Sequence, residues 1–166
     1  MNKKLFIQIM VLMIAIMVLQ IFIPKFSFNQ LEIVPDILII FLTYIGFYYG
    51  RFYVIILGFL VGITQDFITQ VELLGAMSFT KSAIGFGLGT LALYRSIWSR
   101  NLRMFFIFII YLIHFFIFYF IKFNGVPISI SVYMQVIVIH SLLSLSILFI
   151  IDKSFMKHGI TAKQQL

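Results

Sequence analysis

Apolar residues run through this chain in six long stretches, which are separated by short polar breaks. The stretches cover about residues 5–23, 36–49, 52–66, 74–94, 104–121 and 130–151. Runs of roughly 20 apolar residues are typical of transmembrane helices. The pattern therefore predicts an all-α integral membrane protein, a compact bundle of six transmembrane helices that forms a single domain over residues 1–166.

The boundary between the second and third stretches falls at Gly50-Arg51. One helix over residues 36–65 would be about 45 Å long, whereas a hydrocarbon core is about 30 Å thick. Arg51 would also lie near its middle, at a cost of about 2.5–3.5 kcal/mol. We therefore expect two shorter helices that meet in a tight turn.

The basic residues favour the same count of six. With a cytoplasmic N-terminus, nine of the twelve Lys and Arg residues fall on the inner side and only Lys25 and Lys122 on the outer side. Joining the second and third spans reverses this bias to three inside and seven outside. Because basic residues are retained on the cytoplasmic side, we expect both termini to be cytoplasmic.

Composition supports a membrane protein and argues against several functions. Hydrophobic residues make up 63% of the chain and charged residues 10%, with a net charge of +7. We assign this excess to topology and anionic lipid rather than to nucleic acid, and we expect the cytoplasmic loop with Arg95, Arg100 and Arg103 to contact lipid or a cytoplasmic partner. There is no cysteine and no nucleotide-binding, nucleophile–base or HExxH motif. We expect no enzyme activity, metal or cofactor.

Small residues recur at helical spacing in the third and fourth spans. They are Gly58 and Gly62, followed by Gly75, Ser78, Ser82, Gly85 and Gly89. Small residues three or four positions apart allow helix backbones to approach closely in lipid. We interpret this stripe as a helix-packing seam, and the alternative is a groove that binds a partner helix.

Asp66 lies at the end of the third span, four residues after Gly62 and therefore on the same helix face. Because an ionisable residue at membrane depth is often functional, Asp66 is a candidate site residue. We expect it to pair with Lys81 in the fourth span. The alternative is that Asp66 caps a helix end while Lys81 extends outward.

His114 and His140, in the last two spans, are interpreted as packing or hydrogen-bonding residues. Pro35-Asp36 predicts a helix start.

The chain resembles the rod shape-determining MreD family. The resemblance is carried by Pro35-Asp36-Ile37-Leu38, by Gly58-Phe59-x-x-Gly62-x-x-x-Asp66 and by Leu74-Gly75. Length, the six predicted spans and short charged termini extend it over nearly the whole chain, with its specific part at residues 35–90. The chain lacks the glycine that many members carry shortly after the Asp, since Phe67-Ile68-Thr69-Gln70-Val71 stands there.

The resemblance implies a non-enzymatic scaffold of the bacterial cell-elongation complex in the cytoplasmic (inner) membrane. Such bundles look like the substrate-binding subunits of energy-coupling vitamin transporters. They bind the bitopic protein MreC, which links the wall synthases that make peptidoglycan to the MreB filament. Residues Pro35 and Asp36 belong to the family motif.

Two other classes remain as alternatives. A substrate-specificity subunit of an energy-coupling vitamin transporter has the same size and span count, but the first helix here has one small residue, Ala15, where a docking motif is expected. A membrane enzyme or proton-coupled carrier would need more intramembrane ionisable groups than Asp66, Lys81 and two histidines.

Overall fold

The helical class predicted from the sequence is confirmed by the computed structural model, which describes residues 3–28, 31–69, 74–125 and 127–155. Residues 70–73 and the tail at 156–166 lie outside the described residues. The described part contains six helices: α1 (Lys3–Ile21), α2 (Ile37–Tyr49), α3 (Arg51–Thr69), α4 (Ala76–Leu93), α5 (Arg100–Lys122) and α6 (Ile130–Phe155).

Four helical segments of the described chain are long and apolar enough to cross a membrane. They are Lys4–Ile21, Arg51–Ile68, Arg100–Lys122 and Ile130–Ser154. α2 is apolar but has only 13 residues, about 20 Å of helix. α4 has 18 residues but is less apolar, because it contains Lys81 and several Gly, Ser and Thr residues. The apolar helices indicate a membrane protein.

A short β-hairpin separates α1 from α2. Strand β1 (Phe26–Phe28) pairs antiparallel with β2 (Leu31–Ile33), and Phe26 lies opposite Ile33. The alternation of apolar and polar residues in both short segments is the pattern of a strand, but three residues are too few to distinguish it from a loop.

α2 lies at the centre of the bundle. Nine of its 13 residues are buried, and it contacts α1, α3, α4 and α6. A helix that is apolar on all sides is expected to be surrounded by other helices. The predicted turn to α3 is confirmed, since Gly50 alone separates the two helices and has a φ of +85°, a conformation that glycine adopts without strain.

α3 and α4 pack with their backbones in direct contact. A Cβ atom at Gly58 would lie 2.7 Å from the carbonyl oxygen of Lys81, and one at Gly62 would lie 2.4 Å from the Cα of Ser78. Gly85 and Gly89 face α3 in the same way, at 2.9 Å and 2.4 Å from backbone atoms. The glycine stripe is therefore occupied by α3–α4 packing, which leaves no room at these positions for a partner helix.

Candidate functional site

Asp36 organises the start of α2. It is the N-cap residue, and its Oδ1 accepts hydrogen bonds from the backbone N–H groups of Leu38 at 3.0 Å and Ile39 at 3.3 Å. The helix start predicted from Pro35-Asp36 is confirmed, and a carboxylate at this position satisfies N–H groups that the helix itself leaves unpaired.

Gln20, near the end of α1, holds the backbone on both sides of Asp36. Its Nε2 donates to the carbonyl oxygen of Pro35 at 2.9 Å, and its Oε1 accepts from the N–H of Ile37 at 2.8 Å. Sequence reasoning did not identify Gln20, although a lone amide near the end of an apolar span is a signal for such a contact.

The other carboxylate oxygen of Asp36 binds Lys81. The Nζ of Lys81, in the second turn of α4, donates to Oδ2 of Asp36, and both side chains are buried. Because a charged group inside apolar surroundings needs a partner, this ion pair fixes α4 against the start of α2.

The ion pair predicted between Asp66 and Lys81 is wrong, and so is the alternative that Lys81 extends outward. Asp66 accepts instead from the backbone N–H groups of Gly75 at 3.0 Å, Met77 at 3.1 Å and Ser78 at 3.3 Å. The alternative that Asp66 caps a helix end is confirmed. Gly75 is the N-cap residue of α4 and has no side chain, so a carboxylate from α3 satisfies those N–H groups.

His114 completes a buried cluster of three ionisable groups. Its Nε2 lies 3.7 Å from Oδ2 of Asp36. Its ring packs edge to face against the Phe115 ring, with the two ring centroids 4.8 Å apart. Neither ring nitrogen of His114 has a hydrogen-bond partner in the part of the chain that the structure describes. The cluster of Asp36, Lys81 and His114 thus joins α2, α4 and α5.

His140 ties α6 to the segment just before Asp36. Its Nε2 lies 2.9 Å from the carbonyl oxygen of Val34, and its Nδ1 lies 3.0 Å from the hydroxyl of Tyr119. Its ring stacks on Phe115 at a centroid distance of 3.7 Å. The interpretation of His140 as a hydrogen-bonding and packing residue is confirmed.

The other three residues of the predicted seam, Gly75, Ser78 and Ser82, differ from one another in their surroundings. Gly75 precedes α4 with a φ of +97°, and Ser78 is buried beside Asp66, whose Oδ2 is 3.4 Å from its hydroxyl. Ser82 is partly buried, and its hydroxyl has no hydrogen-bond partner among the described residues.

The three predicted loop arginines lie at the opposite end of the bundle from Asp36. Only Arg95 is in a connection, because Arg100 and Arg103 belong to the first turn of α5, which Ser99 caps. Arg95 donates to the carbonyl oxygen of Phe47 at 3.0 Å, and Arg103 donates to that of Arg95 at 2.8 Å. Arg103 is buried, which the sequence did not predict.

Two further polar contacts cross the bundle. The hydroxyls of Thr43 and Tyr111 lie 2.7 Å apart, and the hydroxyl of Tyr44 donates to Asp152 at 3.4 Å. Each joins α2 to one of the last two helices.

The cluster of Asp36, Lys81 and His114 is a closed structural centre in which two opposite charges satisfy each other inside the bundle. No group of three or more His, Asp or Glu side chains suited to a metal ion is present among the described residues. Comparisons with models of protein families, with curated proteins and with solved structures give no match for the chain.

Proposed function

We propose that the chain is a non-enzymatic membrane scaffold of the MreD type, which acts in the bacterial cell-elongation complex. The observation that carries the proposal is that the residues behind the resemblance are connected to one another. Asp66 binds the N–H of Gly75, Gly58 lies against the carbonyl of Lys81, and Lys81 binds Asp36.

A shared structural role for these residues supports the resemblance in a way that their spacing alone does not. Gly58 and Gly62 bring α3 and α4 into backbone contact, and this contact presents Asp66 to the first turn of α4. Together with Asp36, the motif residues set the relative positions of α2, α3 and α4. Fixed helix positions suit a scaffold, because a scaffold binds its partners through the outer surfaces of the bundle.

In this proposal the chain crosses the cytoplasmic membrane six times with both termini inside. α2 and α4 are the shorter spans, and the burial of α2 among four other helices compensates for its length because its ends need not reach open lipid. The distribution of basic residues, nine inside against two outside, sets the orientation.

The proposed partner is an MreC-like bitopic protein, through which wall synthases and MreB join the complex. Because the α3 glycines Gly58 and Gly62 lie against the backbone of α4, and Gly85 and Gly89 lie against that of α3, we assign partner binding to a lipid-facing surface of the bundle and not to the glycine seam. Packing between transmembrane helices is driven by close contact and not by the hydrophobic effect.

Two measurements test the function. The tagged chain, extracted from its native membrane in mild detergent, should retain an MreC-like protein that mass spectrometry identifies. Expressed in a rod-shaped bacterium depleted of its own MreD, the chain should restore rod shape. The Gly62→Leu variant should not, because the bulky side chain would separate α3 from α4.

The contrary result is equally specific. Recovery of paired ATPases with a large transporter subunit, and no effect on cell shape, would identify a substrate-specificity subunit of a vitamin transporter and overturn the scaffold proposal.

A further inference from the structure

One end of the bundle concentrates basic side chains, and we call it the arginine end. In the described chain it holds Arg51, Arg95, Arg100, Arg103 and Lys153, with a single acidic residue, Asp152. The contacts of Arg95 with Phe47 and of Arg100 with Phe149, together with the backbone contact of Arg51 with Gly89, place these residues at the same end.

Two of these arginines are exposed, and each is held over an outward-facing aromatic ring. The guanidinium carbon of Arg51 lies 5.1 Å from the centre of the Phe86 ring, and that of Arg100 lies 5.7 Å from the centre of the Phe149 ring. The rings are 53% and 42% exposed. Both arginine side chains are exposed, so their guanidinium groups are accessible to a ligand outside the bundle.

A guanidinium over a lipid-facing phenyl ring lies at the boundary between acyl chains and headgroups, because the ring favours the acyl chains and the charge favours the headgroups. The aromatic residues nearby support this depth, since Trp98 stacks on Phe106 at 4.3 Å and on Tyr94 at 6.1 Å, and tryptophan and tyrosine concentrate at membrane interfaces. The cation–π contact also restricts the long arginine side chain before any ligand binds.

We propose that Arg51 and Arg100 each bind the phosphodiester of an anionic phospholipid. A guanidinium presents a planar fork of N–H donors that matches two phosphate oxygens, and such charge-assisted pairs are among the stronger hydrogen bonds in proteins. The phenyl ring beneath each arginine contacts the acyl chain of the same lipid. This inference concerns the membrane around the bundle and does not depend on the proposed scaffold function.

The single tryptophan of the chain allows a direct test, because Trp98 lies two residues before Arg100. The full chain is reconstituted into vesicles in which either phosphatidylglycerol or phosphatidylcholine carries brominated acyl chains, and quenching of Trp98 fluorescence gives the relative occupancy of the two lipids. We expect the native chain to prefer phosphatidylglycerol. Removing one basic charge by Arg100→Gln should reduce that preference about fivefold.

Matched variants separate the headgroup site from general charge effects. Lys122 also lies over aromatic rings, at 5.7 Å from Phe118, but at the other end of the 23-residue α5, about 35 Å away. Lys122→Gln should leave the quenching preference at Trp98 unchanged. Arg100→Lys should retain part of the preference, because it keeps the charge and loses the fork.

The proposed lipid site at Arg51 is tested by native mass spectrometry, which counts the lipids that remain bound after gentle extraction. Arg51→Gln should retain fewer phosphatidylglycerol molecules than the native chain. Inorganic phosphate, compared with chloride at equal ionic strength, distinguishes the two sources of phosphate. Selective displacement of the lipid by free phosphate would show a soluble anion site and overturn the lipid assignment.

Equal quenching by the two brominated lipids in the native chain would also overturn the proposal, as would an unchanged preference in folded Arg100→Gln. If that variant does not fold, the effect of salt on the lipid preference of the native chain provides the test. At 1 M salt the screening length is about 3 Å, so a preference that persists undiminished in the native chain would contradict an arginine–phosphate contact.

Discussion

Asp36 and Lys81, which are 45 residues apart in the chain, form an ion pair inside the bundle. Asp36 uses its two carboxylate oxygens differently, because Oδ1 caps α2 and Oδ2 binds the ammonium group. The same carboxylate therefore starts one helix and positions another.

Replacing Lys81 by methionine should strongly destabilise the protein, because it leaves the buried carboxylate without its cation. Loss of one partner of a buried pair costs about 3–5 kcal/mol. Thermal unfolding in detergent, with folded yield from size-exclusion chromatography, measures the effect. Lys4→Met, which removes an exposed lysine near the start of α1, is the control and should change stability little.

A double-mutant cycle should distinguish the observed pair from an Asp66–Lys81 pair. Asp36→Asn keeps a capping oxygen but loses the charge, so its effect combined with Lys81→Met should be non-additive by about 1–3 kcal/mol. Asp66→Asn combined with Lys81→Met should be additive within about 0.5 kcal/mol. Coupling in the second cycle and additivity in the first would contradict the assignment.

Asp66→Ala should destabilise α4 by about 2–3 kcal/mol, since it leaves N–H groups of Gly75, Met77 and Ser78 without an acceptor. Asp66→Asn, with one acceptor oxygen left, should lose less. Thr64→Ala on the same helix is the control, because the Thr64 hydroxyl donates to the carbonyl of Leu60 within α3 and so caps no other helix. Equal melting temperatures for Asp66→Ala and Thr64→Ala would argue against the cap.

Gly62→Ala should prevent close packing of α3 and α4. The added methyl would lie 2.4 Å from the Cα of Ser78, a backbone atom that cannot move away alone, and overpacking of this kind costs about 1–3 kcal/mol or more. Gly87→Ala is the matched control, since its nearest atom is a side-chain carbon of Ile110 at 3.5 Å. We expect folded yield to fall in the first variant alone, and a similar fall in both would show that helix glycines matter for another reason.

His140→Leu should loosen the segment between the β-hairpin and α2. It removes the Nε2–H group that donates to the Val34 carbonyl oxygen and the contact of Nδ1 with the Tyr119 hydroxyl. Hydrogen exchange followed by mass spectrometry should show faster exchange in peptides that cover residues 31–38. Tyr119→Phe, which removes only one of the two hydrogen bonds, should have a smaller effect on the same peptides, and identical exchange in His140→Leu and native protein would refute this role.

Features that depend on local sequence were predictable from the chain alone. The turn at Gly50 and the helix start at Asp36 follow from backbone freedom and from capping chemistry within a few residues. The positions of the helices follow from the length and hydropathy of the apolar stretches. Close helix packing at Gly58 and Gly62 follows from the spacing of small residues, although sequence did not tell that α4 would be the neighbour.

The partner of Lys81 was not predictable because it depends on which helices meet. Asp66 is nearer in sequence, but three backbone N–H groups already compete for it at the start of α4. That leaves Lys81 to reach Asp36 across the bundle. The contact of His140 with Val34, 106 residues away, is of the same kind, since no local pattern specifies it.

The distance along the chain between Asp36 and Lys81 has a consequence for biosynthesis. At about 5–20 residues per second, the 45 residues between them take about 2–9 s to synthesise. Throughout that interval Asp36 has no ammonium group to neutralise it, and a carboxylate alone in hydrocarbon is costly. We therefore expect the start of α2 to stay at the membrane surface until α4 has entered the membrane.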